Sequence, residues 1–93
     1  MKQPYMVTTE HRGVFMGWME PIESFPAEVR LENARMCVYW PAENHGVGGL
    51  VKDGPKKGAR VGPAAPSVLL NGITGIWDIS TEALERWEAE PWS

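Results

Sequence analysis

Alternation is the first pattern the chain offers. In an extended segment over residues 12–19, Val14, Met16 and Trp18 fall on one side and Phe15, Gly17 and Met19 on the other, the period of two that a strand requires. Ahead of it, residues 5–10 carry Tyr5, Val7 and the pair Thr8-Thr9, side chains that suit a pleated surface, so His11-Arg12-Gly13 becomes the tight link of a hairpin. Pro21 and Pro26 lack the N–H that a central strand needs, which makes residues 20–26 a loop. Alternation resumes over residues 27–40, with Val29 and Leu31 against Arg30 and Glu32, then Met36, Val38 and Trp40 against Arg35, Cys37 and Tyr39. This predicts two strands joined by a turn or bulge at Glu32-Asn33-Ala34, because Asn tolerates a left-handed backbone. A helix through residues 31–37 is the competing reading, since Leu, Glu, Ala, Arg and Met are good helix formers.

Beyond Trp40 the punctuation becomes dense. Gly46, Gly48, Gly49, Gly54, Gly58 and Gly62, with Pro41, Pro55, Pro63 and Pro66, interrupt residues 41–66 so often that only brief strands fit, at 49–52 and 59–61. Residues 67–80 return to alternation, Ile73, Gly75, Trp77 and Ile79 lying opposite Thr74, Ile76 and Asp78. The turn signal Asn71-Gly72 there predicts a hairpin or a bulged strand. Ser80 or Thr81 can cap a helix over residues 81–90, whose Glu82 and Glu85 suit the positive end of the helix dipole. Ala83, Leu84 and Trp87 form its apolar stripe, Arg86 reaches Glu82 and Glu90, and Pro91 ends it, leaving Trp92 in a tail. The expected fold class is therefore mainly β: a small antiparallel sheet with one short C-terminal helix, in a single domain over residues 1–93.

Composition narrows this picture. A chain of 93 residues, 43% hydrophobic, supplies one core and not two. Trp18, Trp40, Trp77 and Trp87 sit on apolar faces and read as core residues. The single cysteine, Cys37, allows no internal disulfide and no thiolate metal cage, which fits a reducing, cytoplasmic setting. Within an apolar strand it reads as a small buried hydrophobe and not as a nucleophile. Residues 1–7 lack a signal-like apolar run, and no stretch reaches the roughly 18 apolar residues of a membrane span, so neither export by that route nor membrane insertion is expected. The net charge of −3 argues against a general nucleic-acid binder, which needs a basic face.

One segment stands out against that acidic background. Between residues 52 and 62, Lys52, Lys56, Lys57 and Arg60 face only Asp53, among three glycines. Glycine lets backbone N–H groups approach an anion that lysine and arginine neutralise. The run Gly54-Pro55-Lys56-Lys57-Gly58 lacks the spacing and the Gly-Lys-Ser/Thr ending of a P-loop, and a solvated surface loop is the plain alternative. Tyr39, opposite Trp40 on its strand, is placed to stack on a base, and Arg12 and Arg35 can complete an anion site. His11 and His45 lie far apart, and neither forms a ligand spacing with Glu10 or Glu43, so no metal, cofactor or catalytic residue is expected. Glu82, Glu85, Glu88 and Glu90 read as a solvated helix face.

Two stretches, Thr8-Thr9-Glu10-His11-Arg12-Gly13-Val14-Phe15 and Asn33-Ala34-Arg35-Met36-Cys37-Val38-Tyr39-Trp40, resemble small proteins encoded by tailed bacteriophages and prophages. Gly49-Leu50, Gly54-Pro55, Arg60, Gly62-Pro63 and the helix containing Trp87 extend the likeness over most of the chain. That group has no assigned activity, so the resemblance implies a phage setting and carries over no site residue. The strand rhythm is also similar to that of small SH3-like or Sm-like barrels. The resulting expectation is a non-catalytic phage accessory protein in the host cytoplasm. It would capture an anionic small molecule such as a nucleotide signal, through Lys52, Lys56, Lys57, Arg60, Arg12, Arg35 and Tyr39, to counter host defence. An inhibitor that binds a host protein is the alternative. The small chain with tryptophans to spare also suits pairing with a second copy.

Overall fold

The structure, a computed structural model, describes residues 1–90, apart from the Arg12 side chain. Pro91 and Trp92 lie outside the described residues. Among the described residues six strands and two α-helices follow one another: β1 (Gln3–Thr9), β2 (Gly13–Met19), β3 (Glu28–Tyr39), α1 (Val47–Lys52), β4 (Arg60–Val61), β5 (Ala65–Asn71), β6 (Ile73–Asp78) and α2 (Thr81–Ala89). All pairings are antiparallel, in the order β4-β3-β2-β1-β6, and β5 also lies along β3. The expected small antiparallel sheet with a short C-terminal helix is what the chain forms.

β1 and β2 make the expected hairpin, in register from Gln3↔Met19 to Thr9↔Gly13, linked by a single 3-10 turn at Glu10–Arg12. His11 takes φ 62° there, and a second such turn, Ala42–Asn44, is closed by His45 at φ 58°. Both histidines thus serve left-handed backbone positions. The residues from Glu28 to Tyr39 are one continuous strand, neither two strands nor a helix. Asn33, at φ 50°, marks a bulge where the β2 register slips between Met16↔Arg35 and Trp18↔Glu32.

That extra residue shifts the phase of β3. Val29, Leu31 and Ala34 join Tyr5, Val7, Met19 and Leu70 in one buried cluster, with Phe15, Ile73 and Ile76 packed against it. Past the bulge, Cys37 turns to the other face, into a second cluster with Met6, Val14, Met16, Leu50, Val61, Ala83 and Trp87. Met36 and Val38 are left largely exposed, while Arg35 and Cys37 point inward.

The sheet is open and strongly curled. β5 lies beside β3 and β6 beside β1, at opposite edges, yet only Gly72 separates them in sequence. Asn71-Gly72 is therefore a corner, neither a hairpin nor a bulged strand: Asn71 pairs with Glu28 on β3, and Ile73 with Thr9 on β1. Gly72 takes φ 63° at this corner, a conformation that a side chain would strain, and its carbonyl accepts from Glu10 N–H at 2.9 Å. A second irregularity, in the β1–β6 register at Thr8/Thr9, breaks the expected alternation, so Ile73 and Ile76 share one cluster while Trp77 and Ile79 pack on the other.

The segment 41–66 contains no long element, as expected, and Arg60–Val61 is a short strand. The brief strand expected at 49–52 is instead helix α1. Its two glycines give it little helical propensity, so tertiary packing must hold it. Leu50 is fully buried beside Trp87, whose indole Nε1 donates to Leu50 O at 3.0 Å. Gly54, at φ 82°, closes the helix C-terminus by donating to Gly49 O at 3.2 Å. A Cβ on Gly49 would sit 1.5 Å from the Asn44 carbonyl oxygen, so only glycine lets α1 rest on the preceding turn. α2 begins as expected, with Ser80 Oγ accepting from Ala83 N–H at 3.0 Å. No helix among the described residues is long and apolar enough to cross a membrane.

Of the four tryptophans read as core, only Trp87 is fully buried. Trp18, Trp40 and Trp77 are half-buried. The two helices are too short to roof the whole face of the sheet, and the rings at its margins keep one side open.

Candidate functional site

A cleft of about 670 Å³ opens where that roof ends. The tip of the β1–β2 hairpin supplies Thr8, Thr9, Gly13 and Val14, and the end of β3 supplies Val38, Tyr39 and Trp40. Val47 of α1 and Thr74 and Trp77 of β6 complete the wall. Tyr39 is 53% exposed, as its position opposite Trp40 suggested. Three aromatic rings and three threonine hydroxyls thus meet in one concavity, and among the described residues its lining includes no carboxylate, imidazole or ammonium group. Such a surface can stack on a planar ring and hydrogen-bond its edge.

Thr8 organises the polar side. Its Oγ1 donates to Gly75 O at 3.4 Å and accepts from Thr74 Oγ1 at 3.0 Å and from Trp77 Nε1 at 3.5 Å. The indole of Trp77 is thereby pinned by its N–H.

The basic segment lies next to this cleft without lining it. Arg60 is the partner of Tyr39 in the β3–β4 ladder, just past a register irregularity between Cys37 and Tyr39, and paired residues project from the same face. Gly58 approaches Pro41, the neighbour of Trp40: a Cβ placed there would be 3.9 Å from Pro41 Cγ. Lys57 is exposed and Lys56 half-buried. Lys52 is exposed at the last position of α1, where its carbonyl accepts from Ser80 Oγ at 2.7 Å.

This segment is anchored and not a free surface loop. Asn44, 1% exposed, donates through Nδ2 to Gly54 O at 2.8 Å and accepts at Oδ1 from Lys56 N–H at 3.1 Å. Asp53 N–H and Gly54 N–H go to Gly49 O, and Ala59 N–H to Lys56 O. The amides that sequence reading offered to an anion are largely engaged within the chain, so the cationic side chains are what remains for a ligand. Asn44 itself gave no signal in the sequence, because its partners lie ten and twelve residues downstream.

Arg35 stands apart from this group. It lies four residues before Tyr39 on β3, about 13 Å along the strand, with the register irregularity at Cys37/Tyr39 between them. Its guanidinium is buried, donating from Nε to Gly62 O at 2.7 Å and from Nη1 to Trp87 O at 2.6 Å. It borders a separate hollow of about 430 Å³ together with Trp18, Glu88 and Glu90. The Arg12 side chain lies outside the described residues. The structure therefore brings Tyr39 and Arg60 together at the cleft rim, sets Lys56 and Lys57 on the adjoining segment, and gives Arg35 a place in the scaffold.

Cys37 is 1% exposed and its thiol donates to Tyr39 O at 3.3 Å. Burial pushes the thiol up to about 11. Because the reactive thiolate is scarce far below that value, a thiol-alkylating reagent at neutral pH is expected to leave Cys37 unmodified in the folded protein and to label it fully in denaturant. Rapid labelling without denaturant, read by intact mass, would contradict this placement. Among the described residues no three His, Cys, Asp or Glu side chains are grouped as a metal site requires.

A family model described as domain of unknown function (DUF6948) matches residues 2–87. The chain belongs to this family. The matched span of the DUF6948 domain holds every cleft residue, the anchored basic segment and Trp87. No curated protein and no solved structure matches the chain.

Proposed function

We propose that this chain is a non-catalytic binding module that captures an anionic, ring-bearing small molecule such as a nucleotide. The observation that carries the reading is the cleft, where Tyr39, Trp40 and Trp77 converge and Arg60 is paired across from Tyr39. Its volume of about 670 Å³ suits a small-molecule ligand, and stacking on aromatic side chains is worth about 1–3 kcal/mol per base. Arg60 would meet the ligand's phosphate at the rim, with Lys56, Lys57 and Lys52 adding longer-range attraction. In the phage setting that the sequence resembles, such capture would withdraw a nucleotide signal from the host and blunt its defence.

Calorimetry against a panel of nucleotides and the matching nucleosides tests this. Trp40→Ala and Trp77→Ala are expected to weaken binding of both sets at least about tenfold, from the loss of stacking. Arg60→Ala should weaken only the phosphorylated set. If no nucleotide titrates, and none is released from denatured protein on mass spectrometry, the reading is wrong.

Exposed Met36 and Leu69, 38% and 53% exposed and lining one hollow other than the cleft, support a second reading, a surface that binds a host protein. That reading expects a stoichiometric partner to be retained from host lysate when Lys52, Lys56, Lys57 and Arg60 are all neutralised, and to be lost with Met36→Asp or Leu69→Asp.

A further inference from the structure

We infer that the cleft selects ligands whose ring carries a hydrogen-bond donor, an exocyclic amino group, and that Thr74 is the residue that reads it. This rests on the cleft being a ring-binding site, and it follows from counting hydroxyl protons. A threonine hydroxyl has one proton to donate and two lone pairs that accept. The Thr8 proton goes to Gly75 O, and both its lone pairs are taken, by Thr74 Oγ1 and by Trp77 Nε1. Thr8 therefore offers a ligand nothing, and Thr74 has spent its only proton on Thr8. Thr9 has likewise spent its proton, on Glu10 O at 3.2 Å. The indole N–H of Trp77 is committed too. What this wall presents to the cleft is lone pairs, chiefly those of the exposed Thr74.

A wall of acceptors repels phosphate oxygens and ring carbonyls and welcomes N–H groups. It also fixes how a ligand lies. The amino edge of the ring turns toward β1 and β6, and the phosphate toward Arg60 on β4, on the other side of Tyr39. Thr74 is thus a specificity-determining residue, and Thr8 is a positioning residue that holds the Thr74 proton away from the ligand.

The test compares adenosine monophosphate with purine riboside monophosphate, which has the same ring system and phosphate but hydrogen in place of the amino group. Adenosine monophosphate is expected to bind about three- to tenfold more tightly, the worth of one hydrogen bond. Thr74→Val should abolish that ratio and Thr74→Ser should keep it. Thr8→Val releases the Thr74 proton, and should bring inosine monophosphate, with a carbonyl where the amine stood, level with adenosine monophosphate. Equal affinities in the unaltered protein, or a ratio that survives Thr74→Val, overturn this inference while leaving the cleft as a nucleotide site. Failure of both probes to bind overturns it together with the proposed function.

Discussion

Trp87→Ala is expected to remove about 3–5 kcal/mol of stability, the usual cost of emptying a buried aromatic site. Small domains have about 5–15 kcal/mol in total, so this single change would take a large share of it. Trp87 is fully buried and stands where the layers of the fold meet: the sheet contributes Met6, Val14, Met16 and Cys37, α1 contributes Leu50, and α2 contributes Ala83. Truncation also strands the Leu50 carbonyl, which loses the indole N–H at 3.0 Å, and α1 has little intrinsic propensity to survive on its own. Thermal unfolding followed by circular dichroism should show a midpoint lower by roughly 12 °C or more. Trp87→Phe should fall between, since it refills most of the volume but cannot reach Leu50 O. A loss below about 1 kcal/mol in the alanine variant would mean that the helices do not depend on this ring.

The parts of the fold that sequence patterning predicted are those decided locally. The β1–β2 hairpin follows from strict alternation around a short link, and the start of α2 from Ser80 ahead of an apolar stripe. The bulge at Asn33 was also foreseeable, because few residues accept φ near 50°. The consequence of that bulge was not. Once the phase shifts by one residue, the apolar Met36 and Val38 face outward and the charged Arg35 faces inward, against every preference of the side chains taken alone. α1 was hidden for a different reason. Gly-rich sequence discourages a helix, and the features that rescue this one, Leu50 against Trp87 and Gly49 against the Asn44 carbonyl, are tertiary. The closing pair Gly54-Pro55 was the one local sign of a helix end there.

The candidate site divides along the same line. Tyr39 and the basic segment were visible as residue types and charge, and their adjacency comes from the β3–β4 register, which pairs Tyr39 with Arg60 across twenty intervening residues. Thr8, Thr9 and Thr74 carried no signal, since threonine is ordinary in strands. Their importance comes from the order of their hydrogen bonds, and Thr74 lies 66 residues from Thr8. Trp40 and Trp77 pack against the core as expected but only in part, because alternation tells which face a side chain takes and not how far the opposing layer extends.

Arg35→Ala and Arg60→Ala should separate scaffold from site, although sequence reading grouped the two arginines together. Arg35 donates to two carbonyls, Gly62 O ahead of β5 and Trp87 O near the end of α2, 27 and 52 residues away. A positive charge near the C-terminal carbonyls of a helix also complements its dipole. Hydrogen bonds from a charged group contribute about 1.5–3 kcal/mol each, so Arg35→Ala is expected to cost about 3–5 kcal/mol in urea unfolding. Molecules that remain folded should bind nucleotide with unchanged affinity, because the guanidinium is bonded to Gly62 O and Trp87 O, does not line the cleft, and belongs to a residue about 13 Å along β3 from Tyr39. Arg60 is exposed on a two-residue strand, so Arg60→Ala should leave stability within about 0.5 kcal/mol and weaken phosphorylated ligands alone. If instead Arg35→Ala lowers affinity without lowering stability, the buried guanidinium belongs to the ligand site, and the division between the two arginines is wrong.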